Sequence, residues 1–310
     1  MPISIKAVSQ YIPNSAIDLA SDYSKFGLSN GDAKIYSRFY GLEKIPYTDQ
    51  SILELMLNVS RPLLQGIDLQ KVKYVLAPRT APVISPFGMS LVRDLAVQLG
   101  LSEATPFAIG MNKCVSTLRA FEVAHHLLSD GPEGSLALIV TGESVFTEQN
   151  RVLPNITITA DGSAACLVNL ANDHSEHQLS SMSTNIIGEY AEGVWMTREK
   201  ISEFGKIFNE SMAEVIRDAL QQANINILQV KAILPHNVNI PCWRGFAKYF
   251  DIPIEKIYLK NIPTNSHCFN SDLLMNLSTA IRDKTIQPGD YYVMATVGVG
   301  AMFGAAVFRY

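Results

Sequence analysis

Apolar positions along this chain follow two patterns, one typical of amphipathic helices and the other of buried strands. Apolar residues at helical spacing predict helices over 54–65, over 212–223 and in the stretch that follows Cys114. Continuous apolar runs, among them ALIV, AILP and YYVMATV, predict strands that helices cover on both faces. Such helices and strands in alternation indicate an α/β fold.

The order of these elements repeats within the chain. VKYVLA (72–77) resembles VKAILP (230–235) at an offset of 158 residues, and the predicted helices before them align at the same offset without a gap. A second pair of segments, 116–142 and 271–298, is offset by 155 residues, and each reads as a helix, a turn with glycine and an apolar strand. Two similarities in the same order and at nearly the same offset predict a duplicated α/β unit.

We expect the two halves of the duplication to span 1–170 and 171–310. The offset of 155 residues matches the loop 112–114 with the loop 267–269. If the halves pack about a pseudo-twofold axis, the loops at the starts of their corresponding helices meet near that axis. Cys114 and His267 are therefore predicted to be neighbours in the folded chain.

Composition narrows the class of protein. The 310 residues are 47% hydrophobic and 17% charged, and the formal net charge of −4 argues against a nucleic-acid partner. No segment reads as a signal peptide or as an apolar run long enough to span a membrane. The four cysteines form no CxxC pair, so we expect neither a metal site nor a disulfide framework, and a cytoplasmic location fits best.

Three short segments carry side chains that suit one mechanism: MNKCVS around Cys114, LPHNVN around His236 and TNSHCF around His267. A cysteine at the N-terminus of a helix lies where the helix dipole and free N–H groups stabilise a thiolate. His236 follows the apolar strand AIL, and α/β proteins place their sites at the carboxyl ends of strands. We therefore expect a cysteine nucleophile with two imidazoles near the reacting carbonyl.

The glycine-rich segment TVGVGAMFG (296–304) predicts a tight turn between two central strands. Around Gly298, Val299 and Gly300, such a turn can aim a backbone N–H group at a developing oxyanion. The segment lies in the wrong place for a dinucleotide-binding fingerprint, which needs a helix after it.

Four motifs in order then suggest a family. They are the cysteine at the head of a long helix (Cys114), the turn and strand ADGSAACLV, the loop PHNVN with His236 and Asn239, and the C-terminal run QPGDYYVMATVGVGAMFGAAVFRY. With these motifs the chain resembles, nearly from end to end, the β-ketoacyl-acyl carrier protein synthase III group of the thiolase superfamily. The resemblance implies the duplicated five-layer α-β-α-β-α fold of that superfamily.

The resemblance also implies roles for individual residues. Cys114 is expected to take an acyl group from coenzyme A or a carrier protein as a thioester. The backbone N–H groups of Cys114 and Val299, the latter between Gly298 and Gly300, are expected to form the oxyanion hole. His236 is expected to bind the carbonyl group of the second substrate.

The third catalytic position departs from the asparagine of the family. Counting back from the QPG turn places His267 there, and we favour it because related chain-elongating synthases use a cysteine with two histidines. Counting forward from His236 places Ser266 there instead. Asn265 fits only with a shift of one residue, and Asp272 lies five residues beyond His267.

The resemblance predicts an acyltransferase that condenses acyl-Cys114 with a malonyl-type thioester by decarboxylative Claisen chemistry, in specialised fatty-acid or polyketide-type biosynthesis. The alternative is non-condensing transfer of the acyl group to an alcohol or amine, and a non-catalytic homologue is a third hypothesis. Ile240 and Pro241 stand where the family has an arginine, which favours a carrier protein over free coenzyme A. Expected partners are acyl carrier protein, acyl-coenzyme A or both, and a second copy of the chain in a homodimer, with no cofactor, nucleic acid or membrane.

Overall fold

Strands and helices alternate along the chain as the apolar pattern predicts. The structure, a computed structural model, describes residues 2–81, 88–145, 151–172 and 174–310. Its strands are β1 (Ile3–Tyr11), β2 (Ala16–Asp18), β3 (Lys44–Pro46), β4 (Val72–Pro78), β5 (Thr105–Ile109), β6 (Leu136–Glu143), β7 (Val152–Leu153), β8 (Thr157–Ile158), β9 (Gly162–Leu170), β10 (Gln178–Ile186), β11 (Val230–Pro235), β12 (Tyr291–Gly298) and β13 (Met302–Arg309). Its α-helices are α1 (Asn30–Lys34), α2 (Ile52–Leu63), α3 (Leu91–Gln98), α4 (Ser116–Asp130), α5 (Arg198–Gln222), α6 (Ile240–Phe250), α7 (Ile262–Asn265) and α8 (Asp272–Arg282).

The strand order reflects the duplication. The main sheet of the described residues runs β11-β12-β13-β10-β1-β9-β6-β4-β5. From the centre outwards, one half therefore reads β1-β9-β6-β4 with β5 added, and the other reads β10-β13-β12-β11. The parallel pairs β4–β6 and β11–β12 occupy matching places, and the halves join where Ser4 of β1 pairs with Gln178 of β10.

Helices cover both halves of the sheet on both faces. Helices α2 and α3 pack on the outer face of the N-terminal half, and α5, backed by α6, packs on that of the C-terminal half. Helices α4 and α8 lie between the halves, because each contacts strands of both. The resulting order of layers is the five-layer arrangement predicted from the sequence.

The burial of individual strands agrees with this layering. Every residue of β6 is buried, and alternate residues belong to two different apolar clusters: Leu138 and Val140 face α2, whereas Ala137 and Ile139 face the central helices. A strand packed on both sides has no polar face, which is why its sequence reads as one continuous apolar run.

Corresponding loops lead into the two central helices. A 3₁₀ turn at Lys113–Val115 precedes α4, and another at Phe269–Ser271 precedes α8. Met111 and Ser266, which correspond at the offset of 155 residues, both have positive φ angles, 69° and 52°. Strand β9 ends at Leu170 and β10 follows in the other half, while the division of the chain at 170/171 itself stays a prediction.

Candidate active site

Cys114 lies in the 3₁₀ turn at the head of α4 and is 5% exposed. The turn is reached through a sharp bend, since Lys113 also has a positive φ angle of 52°. This bend directs the thiol away from the axis of α4 and into the space between the two halves. There its Sγ atom lies 3.8 Å from Nε2 of His267.

His267 is held by its backbone and by its ring. Its carbonyl oxygen accepts a hydrogen bond from Ala160 N at 2.9 Å, beside a parallel bridge to Thr159. Its Nδ1 atom lies 2.5 Å from Oδ2 of Asp272, in an ion pair in which both side chains are almost fully buried. The ring is therefore fixed with Nε2 towards Cys114, as the pseudo-twofold relation predicted.

Asp272 lies behind His267 and not beside the thiol. It is the first residue of α8, where the helix dipole favours a carboxylate. Its oxygens accept hydrogen bonds from Asn237 N at 2.6 Å and Cys268 N at 2.7 Å, in addition to the His267 ring. The sequence suggested Asp272 as an occupant of the third position, whereas its contacts are those of a residue that orients His267.

His236 directly follows β11, so it lies at the carboxyl end of that strand, next to the site. Its backbone N donates to Ala295 O at 3.1 Å, and its carbonyl accepts from Trp243 Nε1 at 3.0 Å. The ring centroid lies 5.9 Å from that of His267, and its Nδ1 has no hydrogen-bond partner among the described residues. Both imidazoles and Cys114 therefore border one cavity.

The two histidines have opposite charge preferences. Burial disfavours the cation of His267, but the Asp272 carboxylate and its hydrogen bond outweigh burial and raise the pKa of His267 to about 10. Burial, followed by the charge of His267, holds the pKa of His236 well below its usual value. Near neutral pH the site therefore combines a cationic His267 with a neutral His236.

The other candidates for the third position have structural partners of their own. Ser266 Oγ donates to Ile158 O, and Asn265 Oδ1 accepts from Thr264 Oγ1 at 3.1 Å. Neither side chain has a hydrogen bond to Cys114 within the described residues. His267 is thus the candidate whose ring reaches the sulfur.

Asn239 supports the site from the start of α6. Its Oδ1 caps that helix by accepting from Cys242 N at 2.8 Å, and its Nδ2 donates to Ile156 O at 2.8 Å. The side chain therefore ties α6 to a loop of the N-terminal half, and it also lines the cavity beside His236.

The glycine loop between β12 and β13 lies against the bend at Cys114. A Cβ atom at Gly298 would come within 2.5 Å of Lys113 Cβ and 3.3 Å of Cys114 N, so only glycine permits this approach. Val299 and Cys114 line the same cavity, and Gly300 has a φ angle of 110° that side chains disfavour. This placement suits an oxyanion hole of the Cys114 and Val299 N–H groups, which stays a prediction.

Two cavities meet at the sulfur. The larger, about 410 Å³, runs between α5 and α6 and has mainly apolar walls, among them Phe204 and Phe208. The smaller, about 210 Å³, extends the other way, past Phe269 and Trp195. Both cavities are lined by Cys114, Leu153, His267 and Val299.

A polar cluster near Cys114 was not predicted from the sequence. Asn270 donates through Nδ2 to Thr80 Oγ1, Glu143 Oε1 and Lys113 O at 2.7, 3.1 and 3.1 Å. Glu143 is buried at the end of β6, and burial raises the pKa of its carboxyl despite the nearby Arg79. The one signal in the sequence was a charged residue, Glu143, three positions after the apolar run ALIV.

The described residues offer neither a membrane-spanning helix nor a metal-binding group of side chains. None of the helices in the described part of the chain combines the length and apolar character of a membrane-spanning segment. Nor do the described histidine, cysteine and acidic side chains form a group of three that could hold a metal ion.

Comparison with known proteins identifies the relatives of this site. Residues 220–310 match the family model of the C-terminal part of 3-oxoacyl-[acyl-carrier-protein] synthase III. The chain is 25% identical over 203 residues to the β-ketoacyl-[acyl-carrier-protein] synthase III of Aquifex aeolicus, which covers 64% of each protein. It is 23% identical over 282 residues to that of Clostridium perfringens, which covers 84% of this chain and 85% of the relative. The chain is therefore similar in sequence to β-ketoacyl-[acyl-carrier-protein] synthase III.

Solved structures confirm the fold of this synthase III-like chain. The structure of ChlB3, described as an acyltransferase, superposes with a TM-score of 0.87 at 16% identity and covers 100% of this chain and 98% of its own. Structures of 3-oxoacyl-(acyl carrier protein) synthase III superpose almost as well. The thiolase-like fold predicted from the sequence is thereby confirmed. The predicted class of enzyme, an acyltransferase of the synthase III-like type, agrees with the names of the sequence relatives.

Proposed function

We propose that the protein forms an acyl thioester on Cys114 and condenses it with a malonyl-type thioester by decarboxylative Claisen chemistry. The observation that carries this proposal is that two imidazoles and one thiol border a single, mainly apolar cavity, with His267 Nε2 3.8 Å from the sulfur. The catalytic residues proposed are Cys114, His236 and His267, and Asp272 orients His267.

The first half-reaction loads Cys114. Cys114 and cationic His267 form a thiolate–imidazolium pair, with the proton on Nε2, and Sγ attacks the carbonyl carbon of the acyl donor. Negative charge on the carbonyl oxygen is held by the backbone N–H groups of Cys114 and Val299. The carbon–sulfur bond of the donor then breaks, and its thiol leaves with the proton from His267. The ring takes up a proton from solvent before the second half-reaction, since its pKa is about 10.

The second half-reaction forms the carbon–carbon bond. A malonyl-type thioester loses carbon dioxide, and the electron pair of the broken bond becomes an enolate whose oxygen accepts hydrogen bonds from His236 and cationic His267. The enolate carbon attacks the acyl carbonyl, and Cys114 leaves as the thiolate. A site that keeps His267 protonated supplies a charged donor where the enolate charge develops.

The second candidate function is transfer of the acyl group to an alcohol or amine. The hydrogen bond of 2.5 Å between His267 and Asp272 supports it, because a carboxylate on Nδ1 orients Nε2 as a general base towards the acceptor. That role needs neutral His267, however, and the raised pKa favours the protonated ring. The charge of His267 therefore favours condensation.

We propose the remaining features from the resemblance. Ile240 and Pro241 begin α6 at the cavity, where the family has an arginine, so the acyl donor is an acyl carrier protein in preference to free coenzyme A. The protein acts as a homodimer in the cytoplasm, in a specialised fatty-acid or polyketide-type pathway, without a resident cofactor.

Intact-mass measurement after incubation with acyl-carrier-protein thioesters tests the proposal. We expect a mass gain that is absent in Cys114→Ala. Malonyl-carrier protein added to the acyl enzyme should then release carbon dioxide and give a β-ketoacyl product. Turnover only with an alcohol or amine supports the second candidate, and no acylation at all contradicts both.

A further inference from the structure

A second polar group reaches the sulfur of Cys114. Thr80 Oγ1 lies 3.8 Å from Cys114 Sγ, the same distance as His267 Nε2. Thr80 comes two residues after β4, and its side chain lines the smaller cavity at the sulfur. The thiol therefore lies between Thr80 of the N-terminal half and His267 of the C-terminal half.

The direction of the Thr80 hydroxyl follows from its neighbour Asn270. The amide Nδ2 of Asn270 donates to Thr80 Oγ1 at 2.7 Å, and an amide nitrogen can only donate. The hydroxyl oxygen is therefore the acceptor in this bond, and its own hydrogen can be donated to one of two neighbours, the Glu143 carboxyl or Cys114 Sγ. Cys114 Sγ lies within reach of that hydrogen.

The same cluster fixes the position of Thr80. Its backbone N donates to Oε1 of buried Glu143, which also accepts from Asn270 at 3.1 Å. Asn270 is held in turn by the head of α4, because its Oδ1 accepts from Thr117 N at 3.0 Å and from Thr117 Oγ1 at 3.1 Å. Burial favours the neutral form of the Glu143 carboxyl, so a thiolate at Cys114 is the stronger of the two acceptors for the Thr80 hydroxyl.

We infer that the Thr80 hydroxyl donates a hydrogen bond to the Cys114 thiolate, alongside His267. This inference rests on the proposed function of Cys114 as the nucleophile. A donor at the sulfur stabilises the thiolate more than the thiol or the thioester, since it interacts most strongly with the charged form. Thr80 thus assists when the thiolate forms before acylation and again when it leaves in the second half-reaction.

The test is the rate of Cys114 alkylation by iodoacetamide between pH 5 and pH 10, followed by peptide mass and corrected with Cys114→Ala. Thr80→Val keeps the shape of the side chain and removes the hydroxyl, and Thr80→Ser is the matched control that restores it. In Thr80→Val we expect the midpoint of the profile to move to higher pH and the rate below the midpoint to fall about tenfold. Thr80→Ser should stay close to the wild type.

Three results would overturn the inference: an unchanged profile in Thr80→Val, equal slowing in Thr80→Ser, or slowing at every pH with the midpoint unmoved. The last two would show a packing or access effect of the side chain and not a donor. Alkylation needs no acyl substrate, so the inference and the proposed function fail separately. Loss of acylation by carrier-protein thioesters with an intact Thr80 effect would reject only the proposed function.

Discussion

At the scale of single residues, the two histidines differ because of what faces each ring. A carboxylate lies 2.5 Å from Nδ1 of His267, whereas the ring of His236 is buried beside Trp243 and near the cation of His267. In the proposed mechanism, one side-chain type therefore supplies both a charged and a neutral hydrogen-bond donor to the same substrate oxygen. The difference depends on Asp272.

His267 predicts a pH dependence of stability. Its pKa is about 10 in the folded chain, against 6.5 for the free side chain. Its stabilising effect is therefore complete below pH 6.5 and is lost as the pH rises through about 10. We expect the free energy of unfolding, measured with urea at several pH values, to fall over this range. His267→Gln cannot titrate, so an equally steep fall in that variant would contradict the assignment.

His236 predicts a selective loss of the second half-reaction. Replacing it with alanine removes a donor to the enolate, and loss of one such donor lowers rates by about 100-fold or more. We expect carbon dioxide release from malonyl-carrier protein by His236→Ala to fall by that factor. Alkylation of Cys114 should change little, because His267 and not His236 contacts the sulfur. A parallel fall in both rates would argue against separate roles.

At the scale of elements, α4 receives its N-terminal cap from the other half of the chain. The residue at the usual capping position, Val115, has no side-chain hydrogen bond, and Asn270 instead accepts from Thr117 N in the first turn. The helix that follows Cys114 is thus completed by Asn270, a residue 153 positions beyond Thr117 in the sequence.

Asn270→Ala is expected to destabilise the fold by about 2–4 kcal/mol, because it removes a cap and leaves buried partners without hydrogen bonds. The matched control is Ser51→Ala at the start of α2, where an exposed cap is lost at a cost of about 1 kcal/mol. Urea unfolding measures both. Equal losses in the two variants would show that Asn270 acts as an ordinary cap and no more.

Two substitutions of Gly205 in α5 are expected to change stability and substrate access separately. It lines the larger cavity, and a Cβ atom there would meet nothing within 4 Å. Gly205→Ala should stabilise the chain by roughly 0.5–1 kcal/mol, because glycine disfavours helix interiors. Gly205→Leu should narrow the cavity and raise the KM for acyl-carrier-protein thioester severalfold, with iodoacetamide alkylation unchanged. An unaltered KM would show that substrate does not pass α5.

Elements could be predicted from the sequence where their signals are local. The apolar pattern predicted the positions of strands β4 and β11. The offset between the two repeats predicted that Cys114 and His267 are neighbours. The role of Asp272 and the cluster around Asn270 could not be predicted, because they depend on side chains from separate loops that meet only after the halves pack. The third catalytic position illustrates this. Ser266, Asn265 and Asp272 lie within five residues of His267 in the sequence, but His267 is the candidate whose side chain reaches the sulfur.

At the scale of the whole molecule, β5 ends the sheet on the N-terminal side with β4 as its one neighbour among the described strands. An edge strand with free N–H and C=O groups can pair with another chain. The proposed homodimer, with the central sheets continuing across its interface, fits this edge.

Sedimentation of the protein at several concentrations checks the homodimer. We expect a dimer for the wild type and a shift towards monomer in Ala108→Lys, which puts a charge on an exposed position of β5. Asp94→Lys on the neighbouring α3 is the control for added positive charge. A monomer at every concentration would reject the homodimer.

The placement of the nucleophile in one half and both imidazoles in the other limits how such proteins can recombine. A chimera that joins the N-terminal half of this chain to the C-terminal half of a relative combines a cysteine with histidines that did not evolve together. Such an exchange preserves activity only if the incoming half also restores the 3.8 Å approach at the sulfur and the cap on α4. Neither half alone therefore holds the complete candidate site.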